Sequence, residues 1–153
     1  MLNTKSIDDL SFCATVKYRS DKDYSCDYSS SPRLCHNIVF MLEGSGDIIV
    51  KNSIITIKKG DILYIPKNST YISNWKANPS CVFHSVHFNF SLSKAPFSLN
   101  NVSIQKLPNE QFEFLYDKVK TIQQYQYSKP ASVYPQAQAV TPPICLHGIP
   151  AFL

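Results

Sequence analysis

Histidine is the side chain best suited to moving protons or holding a metal near neutral pH, and this 153-residue sequence has four: His36, His84, His87 and His147. A metal site needs at least three ligands that converge. His36 is followed two residues on by Ile38, so it has no histidine partner on its own face. His84 and His87 are three apart, and on a strand they point to opposite sides of the sheet. Nucleophilic chemistry fares no better, because serines are plentiful but no GxSxG elbow surrounds one. The five cysteines, Cys13, Cys26, Cys35, Cys81 and Cys145, are scattered without a CxxC pair. They suggest neither a disulfide framework nor a zinc cage, and are expected as reduced, partly buried thiols. These residues predict no catalytic group, no metal and no cofactor, and the chain is expected not to be an enzyme.

Something must nevertheless position those side chains, and the stretch from His36 to Phe90 does so. It reads as short apolar runs separated at regular intervals by turn residues, the pattern of a small antiparallel sandwich or barrel. His36 to Leu42 is almost continuously apolar, which suits a strand covered on both faces. Glu43-Gly44-Ser45-Gly46-Asp47 is expected to make a tight reversal, with glycine supplying positive φ. Strands are expected at 48–50, 54–57 and 62–65, the last ended by Pro66, and again at 71–75 and 82–90. Upstream, Phe12, Ala14, Val16 and Tyr18 alternate with polar residues and predict one early strand. Residues 20–33, SDKDYSCDYSSSPR, read as a serine-rich loop or mobile arm. In a metal-dependent double-stranded β-helix a last histidine would follow the GDILYIP strand, and Tyr71 stands about there.

Downstream, Asn109 is expected to cap a helix over 109–127, with Glu110 and Glu113 near its positive end. Phe112, Leu115, Val119, Ile122 and Gln126 form a stripe at steps of three or four. That stripe can pack on the barrel, on a second copy of the chain, or on both. The last 24 residues carry no Asp, Glu, Lys or Arg and hold five of the ten prolines, so regular structure is not expected there. The organisation expected is an arm over 1–33, a barrel core over 34–92, a linker and helix over 93–129, and a proline-rich tail over 130–153 that reads as foreign to the rest.

Composition narrows the function classes. A hydrophobic share of 44% suits one globular domain. No apolar run reaches the roughly 18 residues of a membrane span, and MLNTKSIDDLSF is acidic where a signal peptide is apolar, so a cytoplasmic protein without membrane contact is expected. The net charge of +4 comes mostly from dispersed lysines, with Arg19 and Arg33 as the only arginines. No basic recognition helix or arm of a DNA reader is present.

Gly44-Ser45-Gly46, then Gly60-Asp61-Ile62-Leu63-Tyr64-Ile65-Pro66, then His84 in an aromatic strand ending Phe88-Asn89-Phe90, resemble the ligand-sensing half of arabinose-regulator (AraC) type transcription factors. The resemblance covers about residues 10–127. It implies a mainly β, cupin-like double-stranded β-helix (a jelly-roll barrel) followed by a helix that makes a homodimer. It also implies a small effector, often a sugar, inside the barrel, and a separate DNA-binding domain that this chain lacks. In similar sensors a last-strand histidine faces the pocket, which His84 matches, and parity then puts Val86 beside it and His87 on the other side. Tyr71, Ser73 and Trp75 share a face expected to point inward, and Ser73 matches a ligand-contacting position. Glu43 stands where the arabinose sensor has an arginine, so arabinose itself is not implied. Glu43, Tyr71, Ser73, Trp75, His84 and Val86 would together suit a polyol, with a ring stacked on its C–H face and polar groups on its hydroxyls. Two other classes fit the residues: a metal-dependent cupin isomerase or dioxygenase, and a dimerisation module without a ligand.

Overall fold

The computed structural model describes residues 10–90 and 102–128. Among the described residues, nine strands form two antiparallel sheets, and one helix follows. The strands are β1 (Leu10–Ser20), β2 (Tyr24–Asp27), β3 (His36–Glu43), β4 (Ser45–Val50), β5 (Ser53–Lys58), β6 (Ile62–Ile65), β7 (Ile72–Lys76), β8 (Cys81–Phe90) and β9 (Gln105–Leu107), and the helix is α1 (Phe112–Ser128). One sheet has the order β1-β8-β3-β6-β9 and the other β2-β7-β4-β5. This is the mainly β jelly-roll barrel of a cupin-like fold with a helix at its C-terminal side. The chain changes sheet at six of the eight connections between these strands, and among the described residues β4–β5 is the one pair of consecutive strands bonded to each other.

Alternation decides what faces what. Val39 and Met41 of β3, Ile48 of β4, Ile57 of β5, Leu63 and Ile65 of β6, Trp75 of β7, and Cys81 and Phe83 of β8 meet between the sheets. Phe40, Ile62 and Val86 point the other way and are covered by Phe112, Tyr116 and Val119 of α1. The middle of the five-stranded sheet is therefore buried on both sides, which is why β3 and β8 read as near-continuous apolar runs rather than as alternating ones.

The structure departs from the expected layout at four places. Gly44, at φ +78°, does not close a hairpin but carries the chain from one sheet into the other. A Cβ there would meet the Lys76 carbonyl oxygen at 2.6 Å and that of Ser80 at 2.7 Å, so the crossing requires glycine. Gly46 is needed for a different reason: a Cβ would lie 2.7 Å from the Trp75 ring, which packs directly on the β4 backbone. Within 20–33, expected as a loop or mobile arm, Tyr24–Asp27 is β2 and pairs with β7 from Tyr24↔Trp75 to Asp27↔Ile72. Within 93–129, β9 adds to β6 and is tied by Lys106 Nζ, which donates to Asp61 Oδ2 at 2.7 Å. Finally, α1 begins at Phe112, and Asn109 does not cap it: its amide donates to the Gly60 carbonyl at 3.2 Å. The tail over 130–153, the first nine residues and 91–101 lie outside the described residues.

Candidate functional site

The interior between the sheets has two ends of different chemistry. At one end Trp75 stacks on Phe83 with ring centroids 4.1 Å apart, and Tyr18 lies 4.9 Å from Phe83. Trp75 Nε1 donates to Ser73 Oγ at 3.1 Å, and Ser73 is buried. Tyr24 also stacks on Trp75, at 6.3 Å. The indole is thus engaged by two rings and one hydroxyl of its own protein. Glu43, half-buried, sits at the end of β3 opposite Val82.

At the other end the backbone turns out of β2 through Tyr28, whose N–H donates to the Tyr71 carbonyl at 2.9 Å. The two tyrosine rings stack at 4.6 Å. Arg33, in the loop leading to β3, places its guanidinium carbon 4.8 Å from the Tyr28 ring centre and donates to the Tyr28 hydroxyl at 2.6 Å. The Arg33 charge also acts on the Tyr71 hydroxyl. Asn37 of β3 and His87 of β8 are register partners, so their side chains leave the sheet on one face. It is the inner face, two residues along from Val39 in one strand and four from Phe83 in the other.

Charges at this end are set by burial. Burial pushes the Tyr28 phenol up, and pushes Tyr71 up to about 12, so both hydroxyls keep their protons at neutral pH. Burial, and then the Arg33 charge, bring His87 down to about 3, so its ring is neutral. Burial also opposes the charge on Arg33, but the oxygens of Tyr28, Tyr18 and Tyr71 outweigh it, and the guanidinium stays charged. No carboxylate pairs with Arg33 among the described residues. Arg33 Nε, Asn37 Oδ1 and both ring nitrogens of His87 are buried and have no protein partner.

The expected site residues fall on both sides of the barrel wall. Tyr71, Ser73 and Trp75 point inward as expected. His84 and Val86 do not: they lie on the outer face of β8, beneath α1. The His84 ring meets Tyr116 edge-on at 5.8 Å, and Val86 packs with Val119. Parity separates His84 from His87 correctly, and the face that the resemblance implies to be inward for His84 is the one turned toward α1. The residues are brought together in part only, since Trp75 and Glu43 lie toward one end of the interior and Tyr71 toward the other. Arg33, Tyr28, Asn37 and His87 were missed. The signal that could have found Arg33 is its rarity, one of two arginines in the chain, in an otherwise polar loop beside Pro32.

His36 is occupied structurally. Its Nδ1 lies 2.8 Å from the Tyr64 hydroxyl, and its ring stacks on Phe88 at 5.3 Å. Among the described residues no group of three or more His, Cys, Asp or Glu could hold a metal ion. Cys13, Cys35 and Cys81 are free thiols. No helix among the described residues is long and apolar enough to cross a membrane.

Comparison with solved structures supports the same architecture. ToxT from Vibrio cholerae O395 superposes with a TM-score of 0.53 at 17% identity, over 73% of this chain and 46% of that one. The apo K231A form of ToxT from Vibrio cholerae strain SCE256 gives 0.53 at 14% identity, over 71% and 47%. A glyoxylate-induced protein from Pseudomonas aeruginosa gives 0.52 at 13%, over 66% and 36%. This chain therefore spans less than half the length of each of these proteins. At such identities the likeness is one of fold. No family model matches the chain, and no curated protein matches it.

Proposed function

We propose that this chain is the effector-binding part of an AraC-type transcriptional regulator acting in the cytoplasm. It binds a small molecule between its two sheets and pairs with a second copy through α1, and DNA is bound by a domain outside this sequence. The observation that carries the reading is the polar end of the interior. An apolar barrel that encloses a charged guanidinium, two protonated phenols and unpartnered ring nitrogens is arranged for recognition, because folding alone gains nothing from burying them. The likeness in fold to ToxT, an AraC-type regulator, supports the assignment.

A stacked sugar has less support than a ligand at the polar end. The Trp75 ring is already engaged by Phe83 and Tyr24, and His84 faces α1. Tyr71, stacked on Tyr28 at the polar end, remains the expected residue best placed to meet an effector. For pairing, α1 leaves Leu115 and Ile122 38% and 39% exposed and Phe114 60% exposed. A second copy would cover that apolar surface. In sedimentation experiments the chain is expected to dimerise, and L115E/I122E to leave it monomeric.

Thermal denaturation against a panel of sugars and organic acids tests the sensor reading. A ligand that binds only the folded state at 100 times its Kd adds about 2.7 kcal/mol of stability. At least one compound should raise Tm in a saturable way. If none does, the chain is a pairing module and the sensor reading falls.

A further inference from the structure

We propose that the Arg33 end of the interior is a site for the carboxylate group of a small monocarboxylic acid, with Arg33, Tyr28, Tyr71 and His87 as its donors. The proposal rests on the sensor reading above and gives that effector a chemical class.

Four observations lead to it. A guanidinium carries five N–H donors, and Arg33 gives its contacts to the Tyr28 hydroxyl and ring, with no acid paired to it among the described residues. Its Nε is buried without a protein partner. Second, His87 is 1% exposed and Asn37 4% exposed, on adjacent positions of the same inner face, and the Arg33 charge acts on the His87 ring. Both ring nitrogens and Asn37 Oδ1 lack protein partners, where native proteins rarely leave buried polar atoms unanswered. Third, the Tyr28 oxygen that accepts from Arg33 still has its own proton to give, so that phenol becomes a donor aimed away from the guanidinium, with the Tyr71 ring stacked beside it. Fourth, Arg33 is half-buried and sits in a loop, which leaves the site a route to solvent.

The chemistry selects the ligand class. A single fixed positive charge with neutral donors matches a monoanion, and a guanidinium matches the planar fork of a carboxylate in a bidentate pair. A phosphate dianion would leave one charge unmatched in a buried setting. A neutral sugar would leave Arg33 unpaired. Stacked Tyr28 and Tyr71, with Ile65 across from Asn37, make the surroundings apolar and aromatic. The rest of the acid is therefore aliphatic or aromatic rather than charged.

The test compares acids with their uncharged amides on the 153-residue chain at pH 7. Butyrate and benzoate are titrated beside butyramide, benzamide, glucose and inorganic phosphate, and both Tm and the side-chain 15N shifts of the histidines are followed. An acid should raise Tm and move the His87 ring signals while leaving those of His84, on the other side of the sheet, in place. Its amide should bind at least tenfold more weakly, as should the acid to R33M. The His87 signals are read on the unaltered chain, so the outcome stands even if R33M folds poorly. Equal response to acid and amide, an undiminished response in R33M, or a response by phosphate alone overturns the proposal. Stabilisation by glucose with none by either acid also overturns it, while leaving the sensor reading intact.

Discussion

The two ends of the space between the sheets are built on opposite terms. Around Trp75 and Phe83 the rings stack and the indole N–H has Ser73 as its acceptor, so the region is closed on itself. Around Arg33 and His87, a half-buried guanidinium and a fully buried ring hold atoms that the protein does not answer, as do His84 and Ser80 elsewhere. Under the proposal above, stability and recognition occupy different parts of one interior. The first end holds the sheets together, and the proposal gives the second end to the effector.

The contrast is easiest to break from the aromatic side. Trp75→Ala removes the ring that packs on Gly46 and Phe83, and should cost about 3–5 kcal/mol in urea unfolding. A loss below about 1 kcal/mol would mean that this end is not the structural one. Acid gives a slightly smaller effect. His84 is held at about 4 by burial and then Lys17, and His87 at about 3 by burial and then Arg33, against an ordinary 6.5. Below pH 6.5 the unfolded chain takes up protons on both rings and the folded chain does not. Stability is therefore complete above 6.5 and falls as pH drops toward 4. The loss between pH 7 and 5 should be about 2 kcal/mol for each ring, and H87F should remove about half of it. An unchanged urea midpoint over that range would show that the rings are not neutral in the fold. The smallest effect belongs to Arg33→Met. Replacing a charge that no acid balances should shift stability by less than about 1 kcal/mol in either direction. A loss as large as that of Trp75→Ala would erase the distinction between the two ends.

Much of the architecture was legible in the residues. The strand positions from His36 to Phe90 followed from β-branched runs and their turn residues, and Pro66 closed β6 where a proline should. What could not be read was which side of β8 faces inward. Its outer positions are Val82, His84, Val86 and Phe88, and its inner ones Cys81, Phe83, Ser85 and His87. The two sets are matched in polarity because one side meets a second sheet and the other a helix. Alternation identifies a core face only when the opposite face meets water. The same limit hid β2. Tyr24-Ser25-Cys26-Asp27 is too short and too polar to announce a strand, and it is held in place by pairing with β7, which lies far off in sequence. The fifth strand of the larger sheet, β9, depends on Lys106 reaching Asp61 in a similar way.

The alternation of strands between sheets also governs how the molecule comes into being. Ser20 meets Cys81 and Leu10 meets Phe90, so β1 has no neighbour until nearly the whole barrel sequence has been made. Only the β4–β5 hairpin can assemble from adjacent residues. Long loops must close before most pairings reward them, which places such a chain among slow folders, on the order of milliseconds to seconds. During synthesis the N-terminal strand waits with its hydrogen-bonding edge exposed, and cutting the sequence short anywhere before β8 would strand it there.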